Sequence, residues 1–281
     1  MNLVSIIIRT HKRYMLLERA IKHVKNQTFK QYKVIVVNDG GDKNKVLSIL
    51  ENNLSQDMYT VINLEENLGL NRSINIGARA VETKYVVILD DDDTWNPTFL
   101  EETISYLENN HTCYGVITYA NLVYEKLMNS HIKIMNTKPF KTMPKGVVSM
   151  YDMLKNNQFP IMVFVYRAEV YESIGYFDET LEVLEDWEFN LRFLQKYDIH
   201  VIDRVLANYH IRQDNSILNL SYRNTVTHKK ELHEKYDTII RNKYLRYDLN
   251  SKEFGIGILM NIVRWSDSRI LRAVKRALKI S

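Results

Sequence analysis

A single cysteine, Cys113, occurs in 281 residues, so the chain can form neither an internal disulfide nor a Cys-rich zinc site, which fits a reducing compartment. Four prolines and nine glycines are too few for long flexible linkers between independent domains. Thirty-eight Lys and Arg against 34 Asp and Glu leave a net charge of only +4, too small to imply a nucleic-acid partner without a basic cluster. No apolar run approaches the roughly 18 residues needed to span a bilayer. Val4 to Ile8, Val34 to Val37, Val86 to Leu89 and Ile161 to Val165 are strand length. Asn2 to Ile8 has no basic segment before it, and Arg9, Lys12 and Arg13 follow it, the reverse of a signal peptide; it reads as the first strand of a cytosolic protein. There is no fixed-period repeat or low-complexity tract. What is present, 45% apolar and 26% charged residues, suffices for one large core or two fused half-domains and excludes wholesale disorder.

Two periods alternate through the first hundred residues. Leu3 to Ile8 reads as a buried strand, Leu16, Leu17, Ala20, Ile21 and Val24 recur at helical spacing, and Tyr32 to Val37 is again a strand. The rhythm predicts a helix near Lys43 to Asn53, a strand near Tyr59 to Leu64, a helix near Leu70 to Glu82 and a strand at Tyr85 to Leu89. Such alternation implies an α/β fold with a mostly parallel sheet covered by helices. Past Pro97 the pattern loosens into a helix around Phe99 to Asn109, strands at Gly115 to Tyr124 and Ile132 to Met135, and a helix from Ser149 to Asn156. A strand at Ile161 to Tyr166, a helix beginning near Leu184 and a strand at His200 to Tyr209 follow. Beyond Tyr222 the chain is helical and basic. These shifts divide the chain into residues 1–95, 96–216 and 217–281.

Ligands of such a sheet bind beyond the carboxyl ends of the strands, so the polar residues there are the candidates for chemistry. They are Arg9-Thr10-His11, Asn38-Asp39, Glu65-Glu66-Asn67 and Asp90-Asp91-Asp92-Asp93. Four carboxylates ending one buried strand repel one another unless a cation or a helix N-terminus compensates them. Their oxygens suit Mg²⁺ or Mn²⁺, and Mg²⁺ held by one or two carboxylates commonly shares a phosphorylated ligand. The alternative is an acidic cap for the helix after Pro97, but one cap needs one acid. Asp39 before two glycines can accept hydrogen bonds from a ligand or simply build an Asn-Asp-Gly-Gly turn. Asn67 to Arg72 opens a helix whose N-terminus and Arg72 suit a phosphate, or are ordinary capping. Glu185-Asp186-Trp187-Glu188 heads a helix, where acids are favoured by the dipole and where one can also serve as a general base. His210 and Arg212, after the strand ending at Tyr209, suit a metal shell or a diphosphate, or a structural role.

In combination these residues resemble the nucleotide-sugar-binding half of the inverting GT-A glycosyltransferases of family 2. The match is carried by Val4-Ser5-Ile6-Ile7-Ile8 with Thr10, Gln27-Thr28-Phe29 before Val34 to Gly40, Asn67-Leu68-Gly69, Asn75-Ile76-Gly77 and Leu89 to Asp93 with Trp95 and Pro97. It resumes at Gly175 to Glu179 and at Glu185-Asp186-Trp187, in the family's order over roughly residues 3 to 216. The resemblance implies a GT-A fold that transfers a sugar from a nucleoside diphosphate sugar to a glycan or lipid-linked acceptor, as in synthesis of cell-surface polysaccharide. It implies donor contacts at Thr10 and Asp39 and Mn²⁺ or Mg²⁺ at Asp90 and Asp92; Asn67, Arg72 and Asp91 are further candidate donor contacts, and His210 is a further candidate metal ligand. The resemblance also implies a catalytic base at Asp186, with Glu185 and Trp187 on the acceptor side. Arg9 departs from the usual proline, His11 stands where Tyr is common, and His210-Ile211-Arg212 reverses the family's Arg-x-His.

Asp90 to Thr94 also fits the Asp-x-Asp-x-Thr signature of haloacid-dehalogenase-like phosphatases, whose first Asp is a nucleophile, but it lies on the fourth strand instead of the first. A non-catalytic nucleotide-sugar-binding protein is the other alternative, against which the intact Asp92 and Asp186 argue. Gly-x-Gly-x-x-Gly and P-loop signatures are absent. From Arg269 to Lys279 the basic residues fall on one arc of a helix and Ile270, Leu271, Val274 and Leu278 on the other. With the apolar stretch Phe254 to Trp265 before it, this suits in-plane attachment to an anionic membrane surface, or docking on the catalytic domain or a second subunit.

Overall fold

The computed structural model describes residues 2–128, 131–140, 145–212, 222 and 230–266. Its first part follows the alternation in the sequence. The elements are β1 (Val4–Thr10), α1 (Tyr14–Lys25), β2 (Tyr32–Asp39), α2 (Lys43–Glu51), β3 (Tyr59–Leu64), α3 (Leu70–Arg79) and β4 (Tyr85–Ile88). β1 pairs in parallel with β2 on one side and β4 on the other, and β2 pairs in parallel with β3. β1, β2 and β4 are apolar runs because the sheet is covered on both faces, while α1 buries only Leu16, Leu17, Ala20, Ile21 and Val24.

The second part adds β5 (Thr94–Trp95), α4 (Phe99–Asn109), β6 (Gly115–Leu127), β7 (Ile132–Pro139), α5 (Met150–Lys155), β8 (Phe164–Arg167), α6 (Val170–Ile174), α7 (Glu185–Leu194) and β9 (Ile199–Arg212). One sheet of nine strands runs in the order β3-β2-β1-β4-β8-β6-β9-β5, with β7 attached to β6. β8 is antiparallel to β4, so the sheet is continuous across residue 95 and the two halves share one core. Three details depart from the sequence pattern. Ile161 to Val163 form a 3₁₀ turn and the strand starts only at Phe164; β6 and β7 run on to Leu127 and Pro139 as a long hairpin; and β5 and α6 are too short to leave a periodic signal.

Two helices close the described chain: α8 (Lys230–Ser251) and α9 (Ile256–Ser266). They pack against each other closely enough that a Cβ on Gly257 would lie 2.3 Å from the Tyr244 backbone. Arg241 of α8 donates to the carbonyls of Leu154, Lys155 and Met260 and stands 5.1 Å over the Trp187 ring. Tyr236 donates to Glu182, and Lys243 and Tyr244 donate to the buried Glu188. The described part of the C-terminal extension is therefore docked on residues 96–216. The basic arc Arg269 to Lys279 lies outside the described residues. No described helix is long and apolar enough to cross a membrane.

Candidate active site

The sheet order reverses at β1: the chain runs from β1 out to β3 and then returns to place β4 on β1's other side. In such sheets the ligand crevice lies at the carboxyl ends of the strands flanking the reversal, here β1 and β4, where Thr10 and the four aspartates stand. Thr10 Oγ1 donates to Asp91 Oδ2 at 2.7 Å and joins the two strand ends. On the β2 side, buried Asp39 accepts from the Leu68 amide at 2.7 Å and from Arg9 Nε at 3.0 Å. Asn67 Oδ1 accepts from the Gly69 amide at 3.0 Å and from Arg9 Nη2 at 3.3 Å. The loop carrying Asn67 passes so near Gly40 that a Cβ there would lie 2.7 Å from the Asn67 amide, and Gly40 has φ +71°. Arg9 thus occupies the place of the family's proline and caps Asp39. Arg72, exposed on the first turn of α3, pairs with Glu179 at 3.7 Å, apart from the acids.

The acid cluster is compensated largely by arginines. Lys12 has φ 57°, a left-handed residue that turns Arg13 back into the crevice. Arg13 pairs with Asp91 and, at 3.2 Å, with Asp92. Arg212, at the end of β9, is fully buried; it pairs with Asp92 and donates to Glu125 Oε1 at 2.9 Å. Arg19 of α1 donates to Glu125 Oε2 at 2.6 Å. Burial would raise the Asp92 pKa, but Arg13 and Arg212 outweigh it and hold the carboxyl well below the ordinary range. Burial and then Asp92 push the partly buried Asp90 up to about 7. Asp93 accepts from the His210 amide through Oδ1, at 2.9 Å; its Oδ2 is buried with no hydrogen-bond partner among the described residues.

His210 was expected to ligate a metal, and its surroundings argue otherwise. Nδ1 meets Glu125 Oε2 at 2.7 Å and Nε2 meets Thr94 Oγ1 at 2.9 Å, so both ring nitrogens are engaged within the sheet. Among the described residues no three His, Cys, Asp or Glu side chains are grouped to hold a metal. Asp90 and Asp92 nonetheless supply the oxygen donors that Mg²⁺ and Mn²⁺ take, and beside them Asp93 Oδ2 is a buried oxygen with no hydrogen-bond partner among the described residues, its carboxyl pushed well up by burial and then by Asp92. The residues therefore fit a cation shared with a ligand's phosphates, held by one or two carboxylates, and do not form an all-protein cage.

Asp186 faces the same cleft from the first turn of α7. Leu184, just before the helix, has φ 66°, a strained conformation for a leucine that aims this turn. Asp186 accepts from Asn157 Nδ2 at 2.6 Å and from the Trp187 amide at 2.7 Å. Asn157 in turn accepts from Asn190 at 3.2 Å. Burial outweighs these donors and the nearby His233 imidazole, and pushes the Asp186 carboxyl up to about 6. Asp186 also contributes to raising Asp90, so the two carboxylates sense each other across the cleft. Glu185 is buried beside it. Trp187, expected on the acceptor side, is 1% exposed and donates its indole N–H to the Met153 carbonyl at 2.7 Å; it supports the helix from beneath and offers no face to an acceptor. Asn75 reaches back from α3 to Phe177 and Glu179, which explains why these distant motifs occur together.

Sequence reasoning passed over Glu125, Arg13 and Arg19. Glu125 carries a signal in retrospect: it is a charged residue in the inward phase of a strand, between the half-buried Tyr124 and the exposed Lys126.

Residues 5–174, more than half of the chain, match the model of glycosyl transferase family 2, and the chain belongs to that family. The fold is the GT-A glycosyltransferase fold. The chain is 28% identical over 196 residues to an uncharacterized glycosyltransferase of Bacillus subtilis, YwdF, covering 70% of this chain and 69% of that protein. It is 25% identical to an uncharacterized glycosyltransferase of Haemophilus influenzae, covering 66% of this chain but only 58% of the relative's length. Among solved structures it is similar to residues 1–349 of TarS from S. aureus in complex with UDP-GlcNAc, with a TM-score of 0.57 and 20% identity, covering 75% of this chain and 59% of TarS 1–349.

Proposed function

We propose that the protein transfers a sugar from a nucleoside diphosphate sugar to an acceptor hydroxyl with inversion at the anomeric carbon. The observation that carries this reading is the presence of two unlike acid sites that sense each other, an arginine-compensated cluster at the end of β4 and Asp186, held by amide donors, at the head of α7. The diphosphate lies against the cluster, with Thr10 and the Asp39–Asn67 lip toward the nucleoside. A divalent cation bound there neutralises charge on the departing diphosphate. Asp186 accepts the proton of the acceptor hydroxyl as that oxygen attacks from the opposite face. A carboxyl titrating near 6 is ionised at neutral pH yet more basic than an exposed aspartate, which suits a general base. The acceptor is a glycan or lipid-linked glycan of the kind used in cell-surface polysaccharide synthesis.

Full-length protein is to be screened with a panel of nucleotide sugars, beginning with UDP-GlcNAc, in Mn²⁺ or Mg²⁺, with the anomeric configuration of the product determined. Turnover of one donor with inversion is expected. Release of phosphate from simple phosphoesters without a sugar nucleotide would instead indicate the phosphatase chemistry. The reading extends to peripheral membrane attachment through residues 254–281. Phe254 and Ile262 are 69% and 50% exposed in the described part, and basic residues follow in the sequence. Anionic liposomes should retain the full chain at low salt and release it at high salt.

A further inference from the structure

Arg212 is placed where two partners compete for it. Its three donor edges point three ways: Nε to the Tyr222 carbonyl at 2.8 Å, Nη1 to Glu125 Oε1 at 2.9 Å, and Nη2 to Asp92 Oδ2. The same Asp92 oxygen also receives Arg13 Nη1 at 3.2 Å. Arg13 has a main partner of its own in Asp91, whereas Arg212 neutralises Asp92 from a buried position, with no exposed surface. A divalent cation approaching Asp92 meets an oxygen already taken by guanidinium groups, and each of them repels the incoming charge. A cation alone therefore meets positive charge at this carboxylate that it must displace or share. A diphosphate alone meets the aspartates, whose charge repels it.

Resting on the metal reading above, we propose that Arg212 is a displaceable counter-ion: it holds Asp92 while the cleft is empty and turns to the donor diphosphate when a divalent cation takes that carboxylate. Cation and diphosphate then bind together and poorly apart. Glu125 and Tyr222 keep two edges of the planar guanidinium in place, so Arg212 stays where it is and the exchange is a change of partner at its Nη2 edge. The Nη2 edge leaves one anion for another, and charge-assisted bonds to phosphate oxygens are as strong as those to carboxylate. The cation's approach to Asp92 is thus coupled to the ligand that gives this edge another partner, and the coupling is reciprocal.

The test is Mn²⁺ binding followed by electron paramagnetic resonance on the full chain, first without nucleotide and then with saturating UDP. Without nucleotide, Arg212→Met should bind Mn²⁺ roughly tenfold more tightly than the wild type, a coupling of ordinary size. UDP should tighten Mn²⁺ binding about tenfold or more in the wild type and far less in Arg212→Met. Arg212→Lys, which keeps a cation but cannot reach Glu125, Tyr222 and Asp92 together, should fall between them and serves if the Met variant does not fold. Unchanged or weaker nucleotide-free binding in the folded variants overturns the proposal whatever base the donor carries. If Asp92→Asn abolishes Mn²⁺ binding while the Arg212 variants match the wild type, only the counter-ion role falls. If the wild type and every variant bind no Mn²⁺ with or without UDP, the metal reading fails and the proposal with it.

Discussion

Asp92 and Asp186 face one cleft, and their carboxylates are stabilised by opposite means. Asp92 is surrounded by cations, Arg13 and Arg212, which fix it as an anion. Asp186 accepts hydrogen bonds from neutral groups, Asn157 and the Trp187 amide, with the His233 imidazole nearby, and burial leaves it more basic than usual. The comparison shows how one sheet end can present a permanent anion and a proton acceptor about a shared ligand. Guanidinium partners lower a carboxylate's affinity for protons, whereas amide partners orient it and leave that affinity largely to burial.

The largest break in this comparison is expected from Asp186→Asn. It keeps the shape and removes the proton acceptor, so kcat should fall by about 10² to 10⁴, or roughly 3 to 5 kcal/mol of barrier, with nucleotide binding retained. Glu185→Gln should do less. The same substitution sharpens the contrast through stability. A carboxyl whose folded pKa is raised adds stability at low pH that is lost as pH climbs from about 4 through about 6. Asp186→Asn removes that loss, so its melting temperature should exceed the wild type's at pH 8 and not at pH 4. A wild-type rate in Asp186→Asn would remove the base from the mechanism.

On the other wall, Glu125→Leu leaves Arg212, Arg19 and His210 without their buried anion. Breaking a buried ion pair from one side costs about 3 to 5 kcal/mol, to be read from urea unfolding followed by circular dichroism. Equal stability of variant and wild type would mean that the arginines find other partners. The smallest effect concerns the proton acceptor's tuning. The kcat profile should lose activity tenfold per pH unit below about 6, because protonated Asp186 cannot accept a proton. Asn157→Ala removes a bond that favours the anion, so this acid limb should move to higher pH, lowering kcat a few-fold at pH 6 and leaving pH 8 unchanged. A limb that stays in place would show that Asn157 orients the neighbouring loop and does not tune the acid.

Much of the fold was legible because β1, β2 and β4 are buried on both faces and therefore read as apolar runs, with amphipathic helices between them. β5 has two residues and α6 five, too few for any period to register. The acids after β4 were legible because four adjacent charges ending an apolar strand have few structural explanations. Their counter-ions were not. Arg13 and Arg19, at the start of α1 and within it, meet Arg212 of β9 only in the folded sheet, and although Arg212 stood out as a candidate for a diphosphate, an arginine in sequence looks the same whether solvated or buried. His210 illustrates the converse: its residue type suited a metal, and the partner that engages its Nδ1 is Glu125, 85 residues away.

The docking of α8 bears on how this chain could be recombined with its relatives. Arg241 fastens α8 to three carbonyls, two on the α5 segment and one on α9, while stacking on the tryptophan beneath the Asp186 turn. A graft that exchanged residues 217–281 for another family member's tail would carry away the guanidinium and leave the Leu154 and Lys155 carbonyls to find new donors. Tail and α5–α7 layer are therefore best exchanged as one inherited block, with a splice point before Ser149 tolerated better than one after Ile211.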